Sequence, residues 1–206
     1  MEEESALRMD TLRDLQSKWD RASQWYNLAV APLELLIFRR LRSRLLRSAV
    51  GRVLEVAAGT GVNLEHYLAG IDLVSIDLSQ AMLAKARSRG ALKVAVMNAE
   101  RLAFQDGSFD TVVSTLSTCT FPDPVKALRE MRRVCRPGGR ILLLEHGRST
   151  RPSVGAWQDQ RAAKHAAYLG CWWNREPLDH VHRAGLEPSS TIRTFLGMVH
   201  VIHLNV

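Results

Sequence analysis

The chain is predicted to be an α/β protein built on a doubly wound, mostly parallel seven-stranded sheet with an antiparallel edge. Three observations lead there. The stretch Val53-Leu54-Glu55-Val56-Ala57-Ala58-Gly59-Thr60-Gly61 is a short apolar strand running into a turn that contains glycine. Such a turn lets backbone N–H groups approach a ligand, and the start of a helix expected over 62–68 would add a favourable field. Strand and helix patterns then alternate as far as residue 145, the order of a parallel sheet with crossover helices. Finally, 192–196 and 199–206 form two strand-like segments that close the chain as an antiparallel pair at the sheet edge.

The elements follow in order. Residues 5–30 are helical in pattern, with Leu7, Leu12, Leu15 and Trp19 loosely at helical spacing, and Trp19, Trp25 and Tyr26 cluster before Pro32. Proline favours the first turn of a helix, which predicts a new helix over 33–48. Its apolar side carries Leu33, Leu36, Ile37, Leu41, Leu45 and Leu46, and Arg39, Arg40, Arg42, Arg44 and Arg47 crowd the rest. Two readings stand for it: a helix packed on the domain with solvated arginines, or an interfacial helix with its apolar face in lipid and its arginines on anionic headgroups. A lid over a buried ligand is compatible with both. Strands are expected over 52–56, 71–77, 92–97, 109–115 and 140–145. A helix over 80–89 is capped by Ser79. One over 124–135 is stopped by Arg136-Pro137-Gly138-Gly139. Beyond His146 a loop over 148–153 leads to helices over 156–169 and 176–184.

Length and composition bound the classes. The chain has 206 residues, 46% apolar and 24% charged, as expected for one folded domain spanning 1–206, with 1–50 a helical lid or membrane-contact segment and 51–206 the core. A net charge of +7 favours anionic surfaces without choosing among them. Cys119, Cys135 and Cys171 are odd in number and widely spaced, so neither a zinc-like pairing nor a disulfide framework is expected. The acidic start at Met1-Glu2-Glu3-Glu4 lacks the order of a signal peptide, and no apolar run is long enough to span a bilayer. A cytoplasmic protein, soluble or peripheral at the membrane and monomeric, with no metal, is the expectation.

Asp77 lies 22 residues after Glu55, at the end of the second strand, where a carboxylate can accept both hydroxyls of a ribose. NAD and S-adenosylmethionine sites share that geometry. The phosphate fingerprint Gly-x-Gly-x-x-Gly is incomplete here, with Gly59 and Gly61 only. An acid on the turn would repel pyrophosphate and suit a cationic ligand bearing an amino acid.

Several segments in order resemble the class I S-adenosylmethionine-dependent methyltransferases. Glu55-Val56-Ala57-Ala58-Gly59-Thr60-Gly61 resembles that family's acid-x-Gly-x-Gly-x-Gly loop. Ser75-Ile76-Asp77-Leu78-Ser79 with Met82-Leu83 resembles its ribose strand and following helix, and Asn98-Ala99-Glu100 its adenine loop. Leu128-Arg129-Glu130-Met131 through Gly138-Gly139 resembles its late helix and turn. The likeness runs from about 52 to 146. It implies the Rossmann-like fold of the family, with the N-terminal helices as lid, and S-adenosyl-L-methionine as cofactor, leaving S-adenosyl-L-homocysteine.

Residue by residue, the resemblance implies that Glu55, Ala57, Gly59 and Gly61 form the loop at the methionine portion and that Asp77 holds the ribose. Asn98 and Ala99 meet the adenine, Leu78 is a further cofactor contact, and Met82 either packs on the adenine face or is ordinary core. Ala57 departs from the family's first glycine and is expected to keep a negative φ. Asn98 stands where an acid is usual, and its amide oxygen can still accept a hydrogen bond.

For the acceptor, His146 at the end of the fifth strand is the candidate general base or orienting group, with a structural imidazole as the alternative reading. Tyr26 is the candidate that closes the pocket, Asn27 replaces an acid usual beside it, and Cys119 is either pocket wall or packing. Glu145-His146, Trp157-Gln158, Gly170-Cys171 with Asn174-Arg175-Glu176, and His200 resemble the alkyl-thiol methyltransferase-like group. Size and a basic amphipathic N-terminal helix resemble the small phosphatidylethanolamine N-methyltransferases, and the core resembles quinone C-methyltransferases. A lipid or small lipophilic acceptor, met at an anionic membrane surface through residues 19–47, is therefore expected. A nucleic-acid methyltransferase is disfavoured, because Leu116-Ser117-Thr118-Cys119-Thr120-Phe121 lacks the Pro-Pro-aromatic loop that clamps a planar amino group. A non-catalytic cofactor binder and an NAD oxidoreductase are the remaining alternatives.

Overall fold

A computed structural model describes residues 2–206, with side chains from Thr11 onward; Leu7, used above, lies outside those side chains. Seven strands form one sheet in the order β3-β2-β1-β4-β5-β7-β6. They are β1 Arg52–Val56, β2 Asp72–Asp77, β3 Lys93–Val96, β4 Phe109–Thr115, β5 Cys135–His146, β6 Pro188–Thr194 and β7 Val199–Asn205. β1 to β5 pair in parallel with one another, and β7 pairs antiparallel with both β5 and β6. The antiparallel closing pair is as expected, with β6 outermost. β1 is covered on both sides, so its run of apolar residues divides between two cores. Leu54 and Val56 pack toward α5 (Pro124–Val134) and α7 (Pro177–Arg183), while Val53 packs toward α3 (Arg39–Leu46). Strand order reverses between β1 and β4. Their following loops part there and open a crevice at the carboxyl ends of the strands.

The N-terminal segment differs from the expectation. Pro32 does not begin a helix; it lies inside α2 (Tyr26–Leu33), which follows α1 (Glu2–Ala22). A proline ring crowds the carbonyl four residues back and supplies no N–H. A wide π turn, Glu34–Phe38, comes directly after it and leads into α3 without a break. Phe38, Arg42, Leu45 and Leu46 then share the buried face. Thus one of the five arginines points inward rather than to solvent or lipid. Arg42 Nε donates to Glu34 Oε1 at 2.9 Å, and its Nη1 donates to Asn63 Oδ1 at 2.8 Å and Thr115 Oγ1 at 2.7 Å.

Three other boundaries move. The helix expected over 62–68 is only a short 3-10 turn, Leu64–His66, because Asn63 is drawn inward to Arg42 and Glu55. β5 starts at Cys135, since 136–139 continues the strand past a register shift and Gly138 N–H donates to Val206 O. The next helix, α6 (Pro152–Leu169), begins four residues early with proline in its first turn, and it ends at Gly170 in the left-handed region. A Cβ on Gly170 would lie 2.4 Å from Leu15 Cδ1, so the glycine admits α1 against the end of α6.

Arg42 joins the N-terminal helices to both central strands through groups that have little water to replace it. Arg42→Ala is expected to lower the unfolding free energy by about 3 kcal/mol. Urea denaturation measures this, and a loss under about 1 kcal/mol would show that the network fastens nothing.

Candidate functional site

A cavity of about 860 Å³, its mouth included, occupies the crevice. That volume is in the range of small-molecule sites. One side is built by Ala57, Gly59 and Thr60 after β1, by Asp77, Leu78 and Met82 at the turn into α4 (Gln80–Ser88), and by Met97, Asn98 and Ala99 after β3. The other side is Arg42, Thr115, and Leu116, Ser117, Thr120 and Phe121 of the loop after β4. Leu12, Leu15 and Trp19 of α1 and Tyr26 of α2 close it from the N-terminal side.

Asp77 organises the first side. Its Oδ2 accepts from Gly59 N–H at 2.8 Å and its Oδ1 from Ser79 N–H at 2.8 Å. One carboxylate therefore fixes both the loop and the helix start. Burial pushes its pKa up to about 6, opposed by those N–H bonds. Ser79 caps α4 as expected, accepting from Met82 N–H at 3.1 Å, and its hydroxyl donates to Asp20 of α1. Ala81 N–H also donates to Asp20, at 3.2 Å. Thr60 Oγ1 donates to Asn27 Oδ1 at 2.7 Å, so the amide replacing the usual acid there bonds the loop. These contacts tie the lid helices to the same loop and cap that Asp77 holds.

The expectation for Ala57 is corrected: its φ is +56°, not negative. Ala58 N–H donates to Ile76 O at 2.9 Å, which pulls the loop onto β2 and leaves Ala57 in the left-handed region. Leu116 on the opposite wall has φ +55°. Such a backbone costs an alanine or leucine about 1 to 2 kcal/mol, and strain of this kind gathers at ligand sites. The two glycines divide their work. A Cβ on Gly59, at φ +57°, would meet nothing within 4 Å, whereas one on Gly61 would lie 3.0 Å from the Ala86 Cα. Gly59 borders open space; Gly61 packs against α4 and does not line the cavity.

Glu55 does not line the cavity either. Its buried Oε1 accepts from Asn63 Nδ2 at 2.6 Å. Burial pushes its pKa up to about 7, against the Asn63 bond and the charge of Arg42. Asn98 lines the cavity, and its Oδ1 accepts from Glu100 N–H at 3.0 Å, shaping its own loop. Tyr26 stacks edge-on against Trp19 at 5.7 Å between ring centres, and burial pushes its hydroxyl up to about 12.

His146 is not brought to the cavity wall. It ends β5 with Nε2 3.5 Å from Cys171 Sγ, and Cys171 Sγ lies 3.3 Å from Cys119 Sγ. The wide spacing of the cysteines had predicted no such pairing; the sheet brings the loop after β4 and the loop after α6 together. The neighbouring Glu145, fully buried, accepts from Ser117 N–H at 3.0 Å and Thr118 N–H at 3.2 Å and so holds the acceptor-side loop. Sequence reasoning missed Arg42, Asp20, Thr60 and Glu145 as site residues. For Arg42 a signal existed: it sits at helical spacing with Phe38, Leu45 and Leu46.

Outside the mouth, Leu28 (81% exposed), Leu36 (80%), Leu35, Leu33 and Trp25 form an uncovered apolar ridge, with exposed Arg39, Arg40, Arg44 and Arg47 following. No helix among the described residues is long and apolar enough to cross a membrane.

Residues 54–143 match the family model described as a methyltransferase domain. The chain carries a class I S-adenosylmethionine-dependent methyltransferase domain. The domain is 39% identical over 103 residues to a phosphatidylethanolamine N-methyltransferase of Cereibacter sphaeroides, covering 47% of this chain and 51% of that one. It is 37% identical over 144 residues to a demethylmenaquinone methyltransferase of Renibacterium salmoninarum, covering 66% and 60%. The chain thus spans about half to three fifths of the length of these relatives. A Thermotoga maritima structure described as an S-adenosylmethionine-dependent methyltransferase, possible histamine N-methyltransferase, has the same fold. Its TM-score is 0.66 at 23% identity, covering 91% of this chain and 99% of that one. The NAD alternative falls with the family match. The lining fits the family's cofactor: open space over Gly59, a carboxylate at Asp77, and Leu78, Met82, Met97 and Ala99 as apolar walls.

The contrast between the two glycines is testable. Gly59→Ala puts a methyl group into the cavity and is expected to weaken S-adenosylhomocysteine binding at least tenfold, with only about 1 kcal/mol lost in stability. Gly61→Ala, packed on α4, is expected to cost about 2 kcal/mol or more. Calorimetric titration and thermal unfolding separate the two; equal effects on binding would contradict the assignment.

Proposed function

We propose that this domain methylates a small lipophilic or membrane-derived acceptor, either the amine of a lipid headgroup such as phosphatidylethanolamine or an alkyl thiol. Bound S-adenosylmethionine supplies the methyl group, activated by its sulfonium charge. The chain's own task is to hold the acceptor in line with that methyl group and to exclude water. Asp77 would accept from the ribose hydroxyls, its lone pairs outnumbering its two N–H partners. Ala57 and Gly59 would border the methionine portion, with Gly61 setting their backbone from behind. Leu78, Met82, Asn98 and Ala99 would enclose the adenine. Glu55 would act at one remove, through Asn63 and Arg42.

Tyr26 is the candidate to orient the acceptor. Held neutral by burial, it offers one donor and one acceptor where α2 meets the mouth. His146 acts, on this reading, through the loop after β4 rather than on the acceptor itself.

The observation that carries the acceptor class is the apolar ridge at Leu28–Leu36. It adjoins Tyr26 on the same helical segment and is followed by exposed arginines. Leucines that enter the headgroup boundary and arginines that meet anionic lipid would present the cavity mouth to membrane-held molecules. The reading is of a monomer, cytoplasmic and peripheral, with no nucleic-acid partner. The similarity to a protein named phosphatidylethanolamine N-methyltransferase supports the amine arm. Quinone C-methylation is the second reading, favoured by the longer match to a demethylmenaquinone methyltransferase.

Methyl-labelled cofactor, offered with vesicles containing phosphatidylethanolamine, with alkyl thiols and with demethylated quinone, tests this. Label is expected in the lipid or the thiol. Label only in the quinone selects the second reading, and label in none rejects the class. Leu28→Ser with Leu36→Ser is expected to slow transfer to a vesicle-borne acceptor about tenfold while sparing a water-soluble thiol.

A further inference from the structure

We propose that Cys119, His146 and Cys171 form a metal site, suited to zinc, that fastens the acceptor-side loop to the C-terminal segment. The three ligands come from separate parts of the chain: the loop after β4, the last residue of β5, and the residue after the C-cap of α6. Sheet pairing and helix ends bring them together. Cys119 Sγ and Cys171 Sγ are 3.3 Å apart, Cys171 Sγ and His146 Nε2 are 3.5 Å apart, and all three ligand atoms lie within 4.8 Å of one another. Both sulfurs belong to buried residues.

The distances suit a tetrahedral ion. Bonds of about 2.3 Å to sulfur and about 2.0 Å to nitrogen put sulfur and nitrogen about 3.5 Å apart and two sulfurs about 3.8 Å apart. The Cys171–His146 spacing fits as it stands, the sulfurs open by about half an ångström, and Cys119 Sγ, within 4.8 Å of the His146 ligand nitrogen, needs to settle at about 3.5 Å from it. The donor set of two thiols and an imidazole is the one that zinc takes in preference to magnesium or calcium. Charge also balances. Each thiol gives its proton to solvent on binding, and two thiolates with one dication are neutral, which a buried position requires. Three protein ligands leave a fourth position for water or another small ligand.

The surrounding backbone is fixed independently of the sulfurs. Trp172 N–H donates to Cys119 O at 2.9 Å, and Arg175 Nη1 donates to Phe121 O at 2.6 Å and Thr118 O at 3.1 Å. His165 Nδ1 lies 2.8 Å from Cys171 O, its ring stacked on Trp173 at 4.3 Å. Ligand segments held this way are oriented before the ion arrives, as outer partners do in metal sites. The loop that carries Cys119 also carries Ser117, Thr120 and Phe121 of the cavity wall. A metal there would set the position of that wall.

The test is the metal content of the full chain, purified without a metal-affinity step from zinc-supplemented cells. One zinc per chain is expected by mass spectrometry. Cys119→Ser and Cys171→Ser are expected to lower it to background, and Cys135→Ser, whose thiol lies elsewhere, to leave it at one. Cobalt exchange into the native protein keeps the test open if a variant fails to fold. Thiolate-to-cobalt charge-transfer absorption with the intense visible bands of a tetrahedral ion is expected. Native protein with no bound zinc and no cobalt bands overturns the site, whether its two thiols are free or joined as a disulfide. Metal that survives both cysteine replacements overturns it as well.

Discussion

The carboxylate of Asp77 is the constraint on which the site depends. It sits at the end of a parallel strand and accepts from the loop on one side and the next helix on the other. Ser79 is fully buried, and leaving a buried backbone donor such as its N–H unpaired would cost about 1 to 3 kcal/mol. The consequence is a cavity wall whose shape is set by hydrogen bonds rather than by side-chain packing. The lid uses the same fixed points. Asp20 reaches the Ser79 cap and Asn27 reaches Thr60, so closing the site and shaping it are one set of contacts.

A second constraint runs beneath the cavity. Arg42, Asn63, Glu55 and Glu34 form a buried polar network whose members satisfy one another. It converts a helix that resembles a surface element in composition into part of the core. It also draws Asn63 inward, which shortens the expected helix after the loop to a single turn. Strain at Ala57 and Leu116, on facing walls, is sustained by the sheet hydrogen bonds around them.

Most of the sheet was legible because strand and helix patterns differ in period, and because the motif spacings are local. The loop at 55–61, Asp77 and the Ser79 cap were found for that reason. What was not legible depended on three-dimensional approach. Nothing in the spacing of Cys119, His146 and Cys171 predicts that a strand order crossing from β4 to β5 and an α6 end would place them side by side. Pro32 misled, because proline marks a helix start only when nothing upstream is already helical. Ala57 misled for a related reason: its φ is set by the bond between Ala58 and Ile76, a partner on another strand. His146 was placed at its strand end correctly, but its ring nitrogen lies against Cys171 Sγ rather than on the cavity wall.

The most direct measurement is calorimetric titration of S-adenosylhomocysteine into the wild-type protein and into Asp77→Asn at pH 8, where the carboxylate is ionised. The account predicts one site per chain in the wild type and at least a hundredfold weaker binding in the variant, about 3 kcal/mol, with its far-ultraviolet circular dichroism retained. Undiminished affinity in a folded Asp77→Asn variant would contradict it.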